Sequence, residues 1–305
     1  MKIDEEITEC ITQFLKNPLK LSILSGESEN WASFLALLHI LLVKYDVKKS
    51  HLVLGQERLS GKTILKNNLK ISKKIDFPMK IIQSAYSETI ASETPILDHD
   101  LIVQIVSHKP PERIMVYSKE DSNWNKIEYV IRTNLNTRTS GRILEYPDCC
   151  IAEMIKHISN SYEIAYQIYQ KDIENGNIST LDGDKLTKFL KETSWDYDQP
   201  YILFHTWSFR KYQNNAFNKF PFCFHQPCAN CINQKNSPTE ILNSKYADFA
   251  KKNFPLLYNT IIKEGRKKYQ LGVKINAEDK KILEKCDFEE GMEVTDINVT
   301  LTDDM

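Results

Sequence analysis

At 305 residues, with 41% hydrophobic and 27% charged residues, the chain has an ordinary globular composition and enough length to bury one core or two. A formal net charge of -1 gives no global attraction to nucleic acid or an anionic membrane, so any such contact needs a local basic patch. The longest apolar run, Phe34 to Val43, is broken by His39 and falls far short of the roughly 20 residues that span a bilayer. The first residues carry acids and no apolar stretch of the secretory kind. The expected compartment is the cytoplasm, away from membranes, with all seven cysteines reduced.

In chain order, residues 1–17 predict a helix with Ile7, Cys10, Ile11 and Phe14 on one face. Leu19–Ile23 alternates at period two and reads as a strand. Ser25–Ser28 caps a helix from about Glu29 to Tyr45, and His51–Gly55 is the next strand. Strand, capped helix and strand suggest a βαβ unit. Lys80–Gln83, Leu101–Ser107 and Arg113–Tyr117 are further strands, Tyr129–Arg132 is a short strand or helix end, and Glu57–Ile75 fits no period. From Cys149 onward the pattern turns helical, with helices at Cys150–Tyr169 and Asp182–Glu192, one opened by Ser237-Pro238, and another after Pro255. The expected class is α+β: an α/β domain at 1–120, a mainly helical Cys/His domain at 121–283, and an acidic tail at 284–305.

Chemistry concentrates in two places. Cys149 and Cys150 follow Tyr146-Pro147-Asp148, and Cys223, His225, Cys228 and Cys231 fall within nine residues. Thiolates and an imidazole at such density suit zinc or an iron–sulfur cluster. Two residues between ligands let one tight turn aim both side chains at one ion, and Pro227 stiffens that turn. The predicted helix starts beside both motifs would stabilise thiolates. Successive side chains diverge, so one of Cys149 and Cys150 is expected as ligand and the other as core residue, spare thiol or catalytic group. The competing reading makes these cysteines small buried hydrophobes. Cys228, Cys231, His225 and one of Cys149 or Cys150 would suit zinc, whereas four thiolates including Cys223 would suit a cluster.

At these residues the chain resembles an uncharacterised, mostly archaeal family marked by Gly-Tyr-Pro-x-Cys-Cys and a later His-x-Pro-Cys…Cys. Here the motifs stand as Glu145-Tyr146-Pro147-Asp148-Cys149-Cys150 and His225-Gln226-Pro227-Cys228-Ala229-Asn230-Cys231. The likeness covers roughly residues 125–250. Glu145 takes the place of the family's glycine, and the second cysteine spacing is one residue shorter. The resemblance implies a shared site and names no reaction.

Other residues are weighed against plainer roles. Arg138 and Arg142, four apart ahead of the Cys-Cys motif, would grip a phosphate or carboxylate, or else form a solvated charge pair. His205 and Cys150 are the catalytic candidates, although such a histidine is more often a hydrogen-bonded core residue. His99, between two aspartates, needs only a polar turn. Gly55–Thr63 has five residues between its glycines where a P-loop needs four, which excludes that motif. Arg210, Lys211, Lys219 and Lys235 interleave with aromatics, yet the near-neutral chain does not favour nucleic acid.

Two functions follow. The first is a cytosolic metal- or iron–sulfur-dependent enzyme acting on an anionic small molecule or nucleotide-like substrate. The second is a zinc-stabilised binding module for RNA or a protein partner, which a closed ligand shell would favour. Thiol–disulfide chemistry at Cys228–Cys231 lacks a thioredoxin-like setting and ranks last.

Overall fold

The structure is a computed structural model that describes residues 5–21, 29–55, 59–77, 79–83, 113–119, 137–156, 216 and 218–283. Its centre is helix α2 (Glu29–Lys44). From Trp31 to Val43 every residue of α2 is buried, and Ser33 and His39 are its only polar side chains in that run. A helix apolar all round must be enclosed on every side. The enclosing elements are β1 (Ser50–Gly55), β3 (Arg113–Ser118), α6 (Pro238–Asn253) and α7 (Pro255–Leu283), each in contact with α2.

Helix α1 (Glu5–Lys16) buries Ile7, Cys10, Ile11 and Phe14, the stripe that its periodicity predicts. The strand expected at Leu19–Ile23 does not form in its described part, residues 19–21. Side chains take the backbone groups there. Leu21 N donates to Ser33 Oγ at 3.1 Å, and the Lys20 and Leu21 carbonyls accept from Asn67 and Asn68 at 3.0 and 3.2 Å. A backbone already satisfied in this way has no need of a sheet partner.

The sheet has order β1-β3-β2, with β2 at Met79–Gln83 and both pairings antiparallel. β1 and β2 therefore run the same way on either side of β3. The crossover between them is α3 (Leu59–Lys74), formed by the stretch in which no period was legible. The βαβ unit expected around α2 is thus replaced by a split one around α3, with β3 inserted between its strands. Register pairs His51 and Met79 with Tyr117, and Val53 and Ile81 with Met115. Asn68, fully buried, joins α3 to the sheet: its amide accepts from Tyr117 Oη at 2.9 Å and donates to the Leu21 and Ile64 carbonyls.

The short helix α4 (Thr137–Ile143), a helical stretch at 148–156, and α5 (Ala229–Asn233) lead to α6 and α7. Ser237 caps α6 with Pro238 at its first position, and Pro255 opens α7 directly after Phe254, as the sequence predicts. One apolar core holds residues from both ends of the chain, from Ile7 and Leu38 to Tyr246, Phe254 and Ile261. The class is α+β, and no described helix is long and apolar enough to cross a membrane. The expected elements at 101–107, 129–132 and 182–192, the tail at 284–305, and His99, His205, Arg210 and Lys211 lie outside the described residues.

Candidate metal centre

Cys149 and Cys150 stand in the first turn of the helical stretch 148–156. Pro147 opens that turn, its carbonyl accepting from Cys150 N at 2.9 Å and Ile151 N at 3.0 Å. The chain arrives from α4 through Glu145, whose φ of 59° places it in the left-handed region. Glu145 is held there by its carboxylate, which accepts from Lys49 N at 2.8 Å. Gly141 on α4 lies tight against Ile151: a Cβ there would meet Ile151 Cγ1 at 2.6 Å. That close approach fixes the height of the Cys149-Cys150 turn against α4.

The second segment is anchored by Phe222, which is buried and stacks on Tyr258 with ring centroids 5.1 Å apart. Its N–H donates to Asn243 Oδ1 at 3.0 Å, and its carbonyl accepts from His39 Nε2 at 3.0 Å. Cys228 then caps α5, so that Cys231 follows one helical turn later. Ser237 Oγ donates to the Cys231 carbonyl at 2.8 Å and accepts from Glu240 N at 3.3 Å, which ties the start of α6 to the cysteine turn.

These two segments bring the sulfurs of Cys149, Cys150, Cys228 and Cys231 within 4.8 Å of one another. Cys149 and Cys150 lie 3.6 Å from Cys231 and 3.9 Å from each other. Sulfurs held at about 2.3 Å from one ion in a tetrahedron are separated by about 3.8 Å, so the set can take a metal ion. Both adjacent cysteines join it, where only one was expected. Their helical geometry turns both side chains toward Cys231. Cys150, Cys228 and Cys231 are buried, whereas Cys149 reaches the surface.

Cys223 and His225 fall outside the sulfur set, on Thr239. His225 Nε2 lies 2.9 Å from Thr239 Oγ1, and Cys223 Sγ points to the Thr239 carbonyl at 3.8 Å. The same Thr239 hydroxyl is 3.3 Å from Cys150 Sγ. Cys150 Sγ also accepts from Cys228 N at 3.3 Å. Thr239, fully buried in the first turn of α6, therefore braces both motifs, and sequence reasoning saw it only as part of a helix start.

Burial first, then hydrogen bonds and repulsion from Cys231 and Cys228, push the Cys149 thiol up to about 11. Burial also raises Cys150 and Cys223. Cys231 is buried too, yet the Thr239 hydroxyl and N–H and the Cys150 and Cys149 thiols donate to it, and its net shift is downward. A divalent cation binding here would have to displace the protons of the raised thiols, so its affinity would increase with pH.

Behind the sulfurs lies a buried basic group that the sequence did not signal. Lys48 Nζ donates to His39 Nδ1 at 3.0 Å and sits 5.5 Å from the Tyr146 ring centre. Because the Phe222 carbonyl only accepts, His39 carries its proton on Nε2 and is neutral, its pKa well below the usual range through burial and then Lys48. Burial brings Lys48 down to about 7, against the opposing pull of Glu145 and Cys223. His225 is lowered to about 3 by burial and then Lys48, so it too is neutral.

Known proteins offer no guide. No family model, no curated protein and no solved structure matches the chain. What the site does rests on its own geometry.

The remaining candidates are dispersed. Arg142 is exposed on α4, its Nε 3.2 Å from Asp148 Oδ1, and Arg138 is exposed on the same helix. Lys219 donates to the Ile232 carbonyl and lies over the Phe220 ring, so it braces α5. Gly61 and Lys62 lie inside α3.

Proposed function

We propose that Cys149, Cys150, Cys228 and Cys231 hold one zinc ion in a closed shell, and that the protein is a binding module that this ion stabilises. The observation that carries the reading is that all four sulfurs lie within 4.8 Å of one another, with those of Cys149, Cys150 and Cys231 at 3.6–3.9 Å, a spacing that suits thiolates on a single ion. A multi-iron cluster sets its cysteines on different irons, which spreads them farther apart. Bound there, zinc supplies charge neutralisation and a cross-link. The chain's own residues do the rest. Thr239 and the Cys228 N–H donate to the sulfurs, and Pro147 and Ser237 hold the two cysteine turns at helix starts.

An enzyme would need a coordination position open to substrate, and four thiolates fill a tetrahedron. Cys150, a catalytic candidate by sequence, is engaged in the sulfur set, and Arg142 is engaged with Asp148. A partner for the module is RNA or protein, with RNA favoured by the surface described below.

The test is metal analysis of the purified protein beside Cys231→Ser. The parent is expected to hold one zinc per chain and the variant far less, with a lower unfolding temperature. Equal metal content in both would contradict the assignment.

A further inference from the structure

Helix α3 carries its charge on one side. Its sequence, LSGKTILKNNLKISKK, contains five lysines and no acid. Ile64, Asn67, Asn68 and Ile71 turn into the protein, while Lys66, Lys70, Lys73 and Lys74 are exposed. Lysines four apart repeat about every 6 Å along the helix. Like charges at that spacing oppose helix formation, and a surface helix ordinarily mixes signs to avoid the cost. Among the described residues no carboxylate pairs with Lys16, Lys66, Lys70 or Lys73. Lys74 bonds a neutral amide, Gln13 Oε1, at 3.1 Å.

Beside this face a cavity of about 700 Å³ opens between α1 and α3. Lys16, Lys70, Lys73 and Lys74 are among its walls, with the amides of Gln13 and Asn17 between them. Leu69, 47% exposed, stands within the lysine face. We propose that this groove binds the backbone of single-stranded RNA. The ammonium groups of Lys16, Lys70, Lys73 and Lys74 around the groove make a local positive surface for phosphates. The Asn17 amide offers a donor and an acceptor to ribose hydroxyls, Gln13 being engaged with Glu9 and Lys74. A recess between two helices admits a flexible single strand, whereas a duplex presents a rigid convex surface. An acidic peptide lacks the sugar hydroxyls. The inference names the partner of the module proposed above and rests on that reading.

The test is fluorescence anisotropy with a labelled mixed-sequence single-stranded RNA, the matching RNA duplex and a labelled polyglutamate peptide, using full-length protein whose zinc content is measured on the same sample. With four lysines engaged, affinity for the single strand should fall roughly 50-fold between 50 and 200 mM salt, from a slope of about -0.7 per phosphate contact. The double variant Lys70→Ala with Lys73→Ala should weaken binding at least tenfold and reduce the slope by about 1.4. The exposed Lys235→Ala, away from α3, should bind as the parent does. Retained zinc and an unchanged circular dichroism spectrum would show the double variant folded. Zinc present with no RNA binding, a double variant that binds like the parent, or duplex or polyglutamate bound as tightly as the single strand would overturn the groove. RNA binding lost on the double substitution in protein without zinc would uphold the groove and contradict the zinc reading instead.

Discussion

Lys48 has its ammonium buried against a neutral imidazole, with the Glu145 carboxylate as the main charge that offsets its burial. Its pKa is about 7 in the folded chain against 10.5 for an ordinary lysine. Between those two values the unfolded chain binds the extra proton, so stability rises with pH across that window. The penalty is full below pH 7 and gone above 10.5. Lys48→Met removes the titration while keeping the apolar stem. In urea unfolding from pH 7 to 9.5, the parent should gain a few kcal/mol relative to the variant. Parallel profiles would mean that the ammonium is better solvated than its burial implies. Neither Lys48 nor His39 was legible as part of the site. The bond from His39 to Phe222 spans 183 residues, and no local pattern encodes such a contact. The cysteines were legible because their chemistry is rare and their spacing is local. His225 and Cys223 share that local spacing, and Thr239, which the sequence marked only as a helix start, draws them out of the sulfur set.

Among the elements, the junction of α4 with the helical stretch 148–156 sets where two of the four sulfurs stand. Gly141→Ala gains up to about 1 kcal/mol of helix propensity but drives a Cβ into Ile151. Overpacking costs about 1–3 kcal/mol, so a net loss of about 1–2 kcal/mol is expected, along with weaker metal retention under a chelator. Unchanged stability and retention would show that Ile151 moves without disturbing Cys150. The left-handed backbone at Glu145 is the conformation that glycine adopts at least cost. α1, α2, α6, α7 and the strands at 51–55, 80–83 and 113–117 followed their patterns. α3 did not, because Asn67 and Asn68 occupy its inward face and break the apolar stripe. The strand expected at 19–23 shows the converse over its described residues, 19–21. Its alternation is real, but Ser33, Asn67 and Asn68 satisfy the backbone groups that a sheet would otherwise have paired.

For the whole molecule, the sulfur set and the apolar core are linked by the Phe222 segment, which belongs to the core and leads directly into Cys223 and Cys228. An ion at the sulfurs would therefore cross-link residues 149–150 to a turn that the α2–α7 core already holds. The direct test is X-ray absorption at the zinc edge on the protein as purified. One zinc with four sulfurs at about 2.3 Å and no nitrogen neighbour is the expected result. A shell that includes an imidazole nitrogen would put His225 back on the ion, and iron with inorganic sulfide in place of zinc would contradict the single-ion centre outright.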